Sequence, residues 1–355
     1  MPDLIIDAVT HAFDSRASNA KAGAFAQRSL ESFFQFQWSF LPDPYRLEAE
    51  HYYTAIDVDT FVSTMFLESS TDVAVYHTIP AWGIFEDLSP IQVGLAARER
   101  HPGRVLVYGA ISPLEGARAL EELERQAEEW DPIGLKLYPM DVIDGRMVPF
   151  RLSDERVAYP IFERCRELGI EHIAIHKAIP LDQSPADYYR PDDVDYAARD
   201  FPDLRFEVVH GGFAFLQESA LQMMRFPNVY VNLEGVASML TRQPRAFARI
   251  LGELMVYAGH ERIYWGTGAT VFHPRPLLEA FQAFEMPPDL VEGYGYPDLT
   301  PAVKADILGG NYARSHGLDL AALADAIADD EIARARADGL AAPWQVLRGM
   351  STHAA

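Results

Sequence analysis

Eight short runs of β-branched and apolar residues recur along the chain: DLIIDAV (3–9), DVAVYH (72–77), RVLVYGAI (104–111), PIGLKLY (132–138), EHIAIHK (171–177), LRFEVVH (204–210), NVYVNL (228–233) and RIYWGT (262–267). Short, nearly unbroken apolar runs of this kind predict strands buried on both faces. Between most of them the apolar positions recur at i, i+3 and i+4, as in LEGARALEELERQAEEW and DERVAYPIFERCRELG, the spacing of amphipathic helices. Strand–helix alternation repeated eight times over about 270 residues predicts an α/β fold of the (β/α)8 TIM barrel type. A doubly wound open sheet would usually place a glycine-rich phosphate loop after its first strand, and none is present.

Two segments depart from the alternation. Residues 12–58 form a long loop after the first strand, in which Phe33, Phe34, Phe36, Trp38 and Phe40 crowd together. Such a loop leaves the carboxyl-end face of a barrel, where sites form. So many rings rarely stay in water, so they are expected in a lid or a subunit contact, with packing on the chain's own barrel as the alternative. The second segment, 321–355, is expected to be a helix ending near Gly339, followed by an extended piece anchored by Trp344 and Leu347. It is assigned to the same domain as the barrel of residues 1–320.

Composition narrows the class. Of 355 residues, 49% are apolar, enough for a large core. No apolar run is long enough to span a membrane, and the N-terminus lacks the basic region of a signal peptide. The single cysteine, Cys165, is expected to be buried, and the expected compartment is the cytoplasm. A net charge of −22 argues against a nucleic-acid partner.

A barrel brings the carboxyl ends of its strands to one face, and six polar residues fall there. His11 follows the first strand, His77 ends the second, Lys136 lies near the end of the fourth, and His176 ends the fifth. His210 ends the sixth and Glu234 follows the seventh. Neutral imidazole is the commonest protein ligand for zinc, iron and manganese, and three ligands with an open position make a catalytic metal site. His11, His176 and His210 are therefore expected to hold one divalent metal: zinc for a nitrogen-rich site, with iron and manganese as alternatives. His210 also suits polarisation of a substrate carbonyl. Lys136, inside an apolar strand, is expected to snorkel or to meet a carboxylate, a substrate or a carbon dioxide. Glu234 has three candidate roles, as base, ligand or partner of Lys136. His210, Lys136 and Glu234 are the candidate catalytic residues. His77 is expected either to line the pocket or to cap its strand. His273, past the eighth strand, is a candidate substitute ligand, and His172 belongs at the opposite end of the barrel. His51, His101, His260 and His316 are expected in solvent.

The words IIDAVTHAF, GLKLYP, IAIHK, VVHGGFAF and ILGGNYARSHGLD, over roughly residues 3–320, resemble the amidohydrolase superfamily. Within it they resemble the amidohydrolase-related family that includes aminocarboxymuconate semialdehyde decarboxylase. The resemblance implies a metal-dependent barrel acting on a small molecule. It also implies two metal-binding positions on strand one and an aspartate after strand eight. Here those positions hold Val9 beside His11, and Gly268. Such a degenerate site resembles the lesser chain of a two-chain non-haem dimetal oxygenase of the 2-aminoisobutyrate hydroxylase type. That implies a paralogous partner chain, or a second copy of this one. The alternatives are a stand-alone hydrolase or non-oxidative decarboxylase, and a metal-free partner subunit.

Overall fold

A computed structural model of the protein describes residues 4–351. Eight parallel strands form its centre: Ile6–Thr10, Val73–Tyr76, Val105–Val107 continued by Gly109–Ala110, Leu135–Leu137, His172–His176, Arg205–Val209, Val229–Asn232 and Ile263–Tyr264. Neighbouring strands pair in chain order. Tyr108 joins the two parts of the third strand, its amide donating to Tyr76 while the Gly109 amide donates to Gly134. Backbone hydrogen bonds also run between the first and last strands: Ala8 N to Trp265 O at 2.9 Å and Gly268 N to Val9 O at 3.0 Å, beside a parallel bridge of Thr10 with Ala269. The buried Asp7 carboxylate ties the same pair of strands by accepting from the Thr267 amide at 3.0 Å. This is the TIM barrel that the alternation predicts.

Helices follow the strands and cover the barrel. After the third strand Ala117–Trp130 turns Ala119, Leu123 and Gln126 inward. After the fourth, Ala158–Leu168 buries Ile161, Phe162 and Cys165, and burial pushes the Cys165 thiol well up. The closing phrase ILGGNYARSHG works through two contacts. Asn311 donates to the carbonyls of His260 and Ile263 at the start of strand eight. A side chain at Gly309 would put its Cβ 2.1 Å from the Leu4 carbonyl oxygen, so this helix lies against the first strand only with glycine there.

Three elements differ from the sequence reading. Residues 12–58 are not a loop throughout: Ala24–Phe40 is a helix. The crowded rings mask its period, but Phe25, Leu30, Phe33, Phe36 and Phe40 follow a 3.6-residue stripe. Phe36 meets Phe272 and Phe213, and Phe33 meets Phe13, all on the chain's own barrel. Phe34 stacks near Trp38 and Tyr52 instead. All five rings are half-buried. A hairpin, Met140–Ile143 with Arg146–Pro149, sits between the fourth strand and its helix. Its turn, Asp144–Gly145, has φ of 50° and 73°, the left-handed pair that Asp-Gly favours.

The tail is the third. It forms helices Leu320–Ile327, Glu331–Arg336 and Gln345–Ser351, the last replacing the expected extended piece. Trp344 and Leu347 are buried. The anchor is Glu68, fully buried, which accepts from the amides of Trp344 at 2.6 Å and Gln345 at 3.2 Å. A carboxylate on the first amides of a helix satisfies donors the helix cannot. Among the described residues no helix is long and apolar enough to cross a membrane.

Candidate active site at the carboxyl ends of the strands

The carboxyl-end face opens into a cavity of about 770 Å³. His11, Lys136, Tyr138, His176, His210 and Glu234 line its floor. Phe13, Phe33, Phe36, Phe213 and Phe272 supply much of its wall. Two of these rings come from the helix Ala24–Phe40, which covers one side of the mouth. At the rim Arg28 of that helix donates from Nε to Asp182 in the loop after strand five, at 2.9 Å. That loop is held from below by Lys177 and Asp193, a pair buried to within 1% of completeness and 2.9 Å apart.

Five of the sequence candidates thus meet on one floor. His77 lies apart: its carbonyl accepts from His11 Nδ1 at 2.7 Å, while its ring stacks on Tyr108. Neither ring nitrogen of His77 has a partner among the described residues. His172 is at the opposite end, as its place at the start of strand five requires, and donates from Nε2 to the Ser315 carbonyl at 3.0 Å. Since a carbonyl only accepts, that nitrogen carries the proton. His273 is fully buried and bonded to Glu68 at 3.0 Å, away from the cavity floor. Two histidines placed in solvent are not there. His101 is buried against Glu331, and His316 is stacked between Tyr312 and His172. Glu331 and His172 come from segments distant in sequence, so local composition did not indicate them.

Proton counting is informative on the floor. His176 Nε2 faces the Ile179 carbonyl at 2.7 Å, and His176 Nδ1 faces His210 Nε2 at 3.0 Å. His210 Nδ1 faces the Glu234 carbonyl at 3.1 Å and is in short contact with the Glu234 carboxyl. The Ile179 carbonyl ends this chain as an acceptor. The links to Ile179, between the two rings and to Glu234 need three protons, and two neutral imidazoles supply two. A protonated Glu234 carboxyl would supply the third to His210 Nδ1, and the Glu234 carbonyl then receives none. Burial pushes Glu234 up to about 8 and Glu207 beneath it to about 7, while it drives His210 well down, so the proton rests on the carboxyl. Lys136 is pushed down to about 8, burial outweighing the attraction of Glu234 and Glu207. His210 itself has φ of +63°, an uncommon conformation for a residue with a Cβ, and one that clusters at functional sites.

The glycine where an acid was expected has a structural reason. A Cβ at Gly268 would lie 2.1 Å from Glu234 Oε1. The Glu234 carboxyl, arriving from strand seven, occupies the space that a side chain from strand eight would need.

In this arrangement the candidate ligands His176 and His210 bond to each other rather than converge on one point. Among the described residues no three His, Cys, Asp or Glu side chains are placed to hold a metal ion. His176 and His210 face each other, His210 also faces Glu234, and Val9 and Gly268 bring no donor. His11 Nε2 is left as the open ring nitrogen on the floor.

These shifts set a pH dependence. Burial drives His11, His172 and His176 down to about 3, and His77, His210, His273 and His316 also down. Below about 6.5 these rings gain protons on unfolding, so stability falls as pH falls. Asp7, Glu207 and Glu234 have folded values of about 7, 7 and 8, so they lose protons on unfolding between the ordinary carboxyl range and those values. Their contribution falls as pH rises. More histidines are held neutral than carboxyls are held protonated. Thermal unfolding across a pH series should therefore give a maximum in Tm near pH 6.5, with a steeper fall on the acid side. A Tm that climbs steadily to pH 8 would contradict the assignment.

The family model described as Amidohydrolase matches residues 78–318. Among curated proteins none matches this chain. Solved structures share the fold. An uncharacterised TIM-barrel protein from Bordetella bronchiseptica is 20% identical with a TM-score of 0.62, covering 90% of this chain and 99% of that one. A 5-carboxyvanillate decarboxylase from Novosphingobium aromaticivorans, complexed with manganese and 4-hydroxy-3-methoxy-5-nitrobenzoic acid, is 15% identical with a TM-score of 0.56, covering 89% and 96%. An amidohydrolase from Burkholderia multivorans with bound zinc is 14% identical with a TM-score of 0.53, covering 89% and 100%. With the matched segment spanning more than half of the sequence, from the end of strand two through the closing helix, the chain belongs to the amidohydrolase family.

Proposed function

We propose that this chain is an enzyme that removes carbon dioxide, without an oxidant, from a small carboxylic acid with an apolar or aromatic body. The observation that carries the reading is a buried lysine beside the His176–His210–Glu234 chain on the floor of an aromatic-walled cavity. Decarboxylation replaces a carboxylate by a proton, so it needs a cation to receive the developing charge and an acid to deliver the proton. Lys136 supplies the first and the Glu234–His210 pair the second. His176, held by Ile179, fixes the orientation of His210. The aromatic walls exclude water and accept a flat substrate body. The decarboxylase among the structural neighbours supports the same class of substrate.

Manganese and zinc in two neighbours support a divalent metal as the alternative route, and His11 Nε2 is the nitrogen that would meet it. Elemental analysis of protein grown with supplemented metals should find zinc, iron and manganese well below one equivalent. A stoichiometric metal would show that His176 and His210 separate to bind it, and would return His11, His176 and His210 to the ligand role.

The test of function is carbon dioxide release from a panel of small aromatic and aliphatic acids, with hydrolysis of the corresponding amides measured in parallel. Amide hydrolysis without carbon dioxide would replace this reading by the hydrolase one. The second reading is that of a lesser chain in a two-chain oxygenase, favoured by the loss of donors at Val9 and Gly268. It requires this chain to be inert alone and active only with a paralogous barrel.

A further inference from the structure

We infer that Lys136 is a nucleophilic amine that forms an imine with a carbonyl substrate, so that the acid decomposed here is a 3-oxo acid. The choice of a 3-oxo acid rests on the proposed decarboxylation; the imine does not.

The chain has four lysines. Lys21 pairs with Glu86 at 3.8 Å, Lys177 with Asp193 at 2.9 Å, and Lys304 donates to the Gln282 carbonyl at 2.7 Å. Lys136 differs: among the described residues its Nζ has neither a hydrogen bond nor an ion pair, and it lies 5.7 Å from the centroid of the Tyr138 ring. Yet it is the lysine on the cavity floor and is only 1% exposed.

A buried ammonium without partners is costly, whereas a neutral amine with its lone pair toward a cavity is much less so. The carboxyls of Glu234 and Glu207 act on it from a distance and do not neutralise it by contact. Burial loosens its hold on the proton, so more of the amine is free at neutral pH than for an ordinary lysine. Desolvation in an apolar pocket is a recognised means of activating a lysine for imine formation.

The chemistry balances without an oxidant or a metal. The Lys136 nitrogen adds to the carbonyl carbon, and the carbonyl oxygen leaves as water, giving an iminium ion. The bond from the adjacent carbon to the carboxylate then breaks. Carbon dioxide departs and the electron pair moves to the iminium nitrogen as an enamine. A proton returns to carbon, and water cleaves the resulting iminium to release a ketone and the free amine. The iminium serves as the electron sink that the missing donors at Val9 and Gly268 leave unfilled.

The experiment uses the whole wild-type chain. Benzaldehyde, which suits the aromatic walls, is added at neutral pH with sodium cyanoborohydride, and lysine-bearing peptides are mapped by mass. A benzyl group on Lys136, ahead of the exposed Lys21 and the half-buried Lys304, is expected. Label on Lys21 and Lys304 with Lys136 unmodified, or no label at all, would overturn the imine. Prior addition of a 3-oxo acid such as 3-oxo-3-phenylpropanoate should slow labelling of Lys136 while leaving Lys21 unchanged. Trapping without carbon dioxide release from 3-oxo acids would remove the decarboxylase reading and keep the nucleophile. Carbon dioxide release without trapping would remove the imine and keep the decarboxylase.

Discussion

Asp193→Ala is expected to destabilise the protein by about 3–5 kcal/mol, because it leaves the charge of Lys177 buried without its partner. Lys177 and Asp193 are each no more than 1% exposed, and the carboxylate also accepts from the Leu152 amide at 2.9 Å. The pair sits directly after His176 and pins the loop carrying Ile179 and Asp182. Loss of it therefore loosens the cavity rim as well as the fold. Urea denaturation reads the loss as a lower midpoint at similar slope. Replacing both partners by apolar residues, as in Lys177→Met with Asp193→Leu, should recover much of the stability, since the desolvation penalty disappears with the charges. A single variant within about 1 kcal/mol of wild type would show that water reaches this pair and that the loop is not held by it.

Glu234→Gln should reduce turnover by about 10²–10⁴ in the reaction proposed, the usual contribution of a positioned acid. The amide preserves size, so Gly268 still clears its space and the fold should persist. It cannot deliver a proton to carbon. His210→Gln should show a comparable loss, and the double variant little more than either single one, because the two groups share one proton and act as a unit. Steady-state kinetics would show the loss in kcat with KM little changed. Losses that multiply in the double variant would separate the two residues and end the shared-proton account.

Much of this protein is determined locally. The short apolar runs of strands and the 3.6-residue stripe of helices are short-range patterns, so eight strand–helix units could be read before any contact was known. Strand ends then place His11, Lys136, His176, His210 and Glu234 on one face, because parallel strands share one direction. The Asp144–Gly145 turn is also a local signal, an Asp-Gly pair between two short runs.

Other features depend on residues that meet only in space. The helix Ala24–Phe40 hides its period because two faces are aromatic: one covers the barrel, and the other packs against Tyr52. His273 and Glu68 are 205 positions apart, and Trp344 lies 276 from Glu68, so the buried anchor of the tail is invisible along the chain. The same holds for Gly268. As a sequence position it reads as a lost acid. In the barrel it is the space into which the Glu234 carboxyl fits, and only closure of strand seven against strand eight brings the two within a bond's length of conflict. Whether His176 and His210 serve a metal or bond to each other likewise depends on which lone pairs face which protons. Residue type and strand register put the rings together; tertiary packing alone decided that they face one another and Glu234.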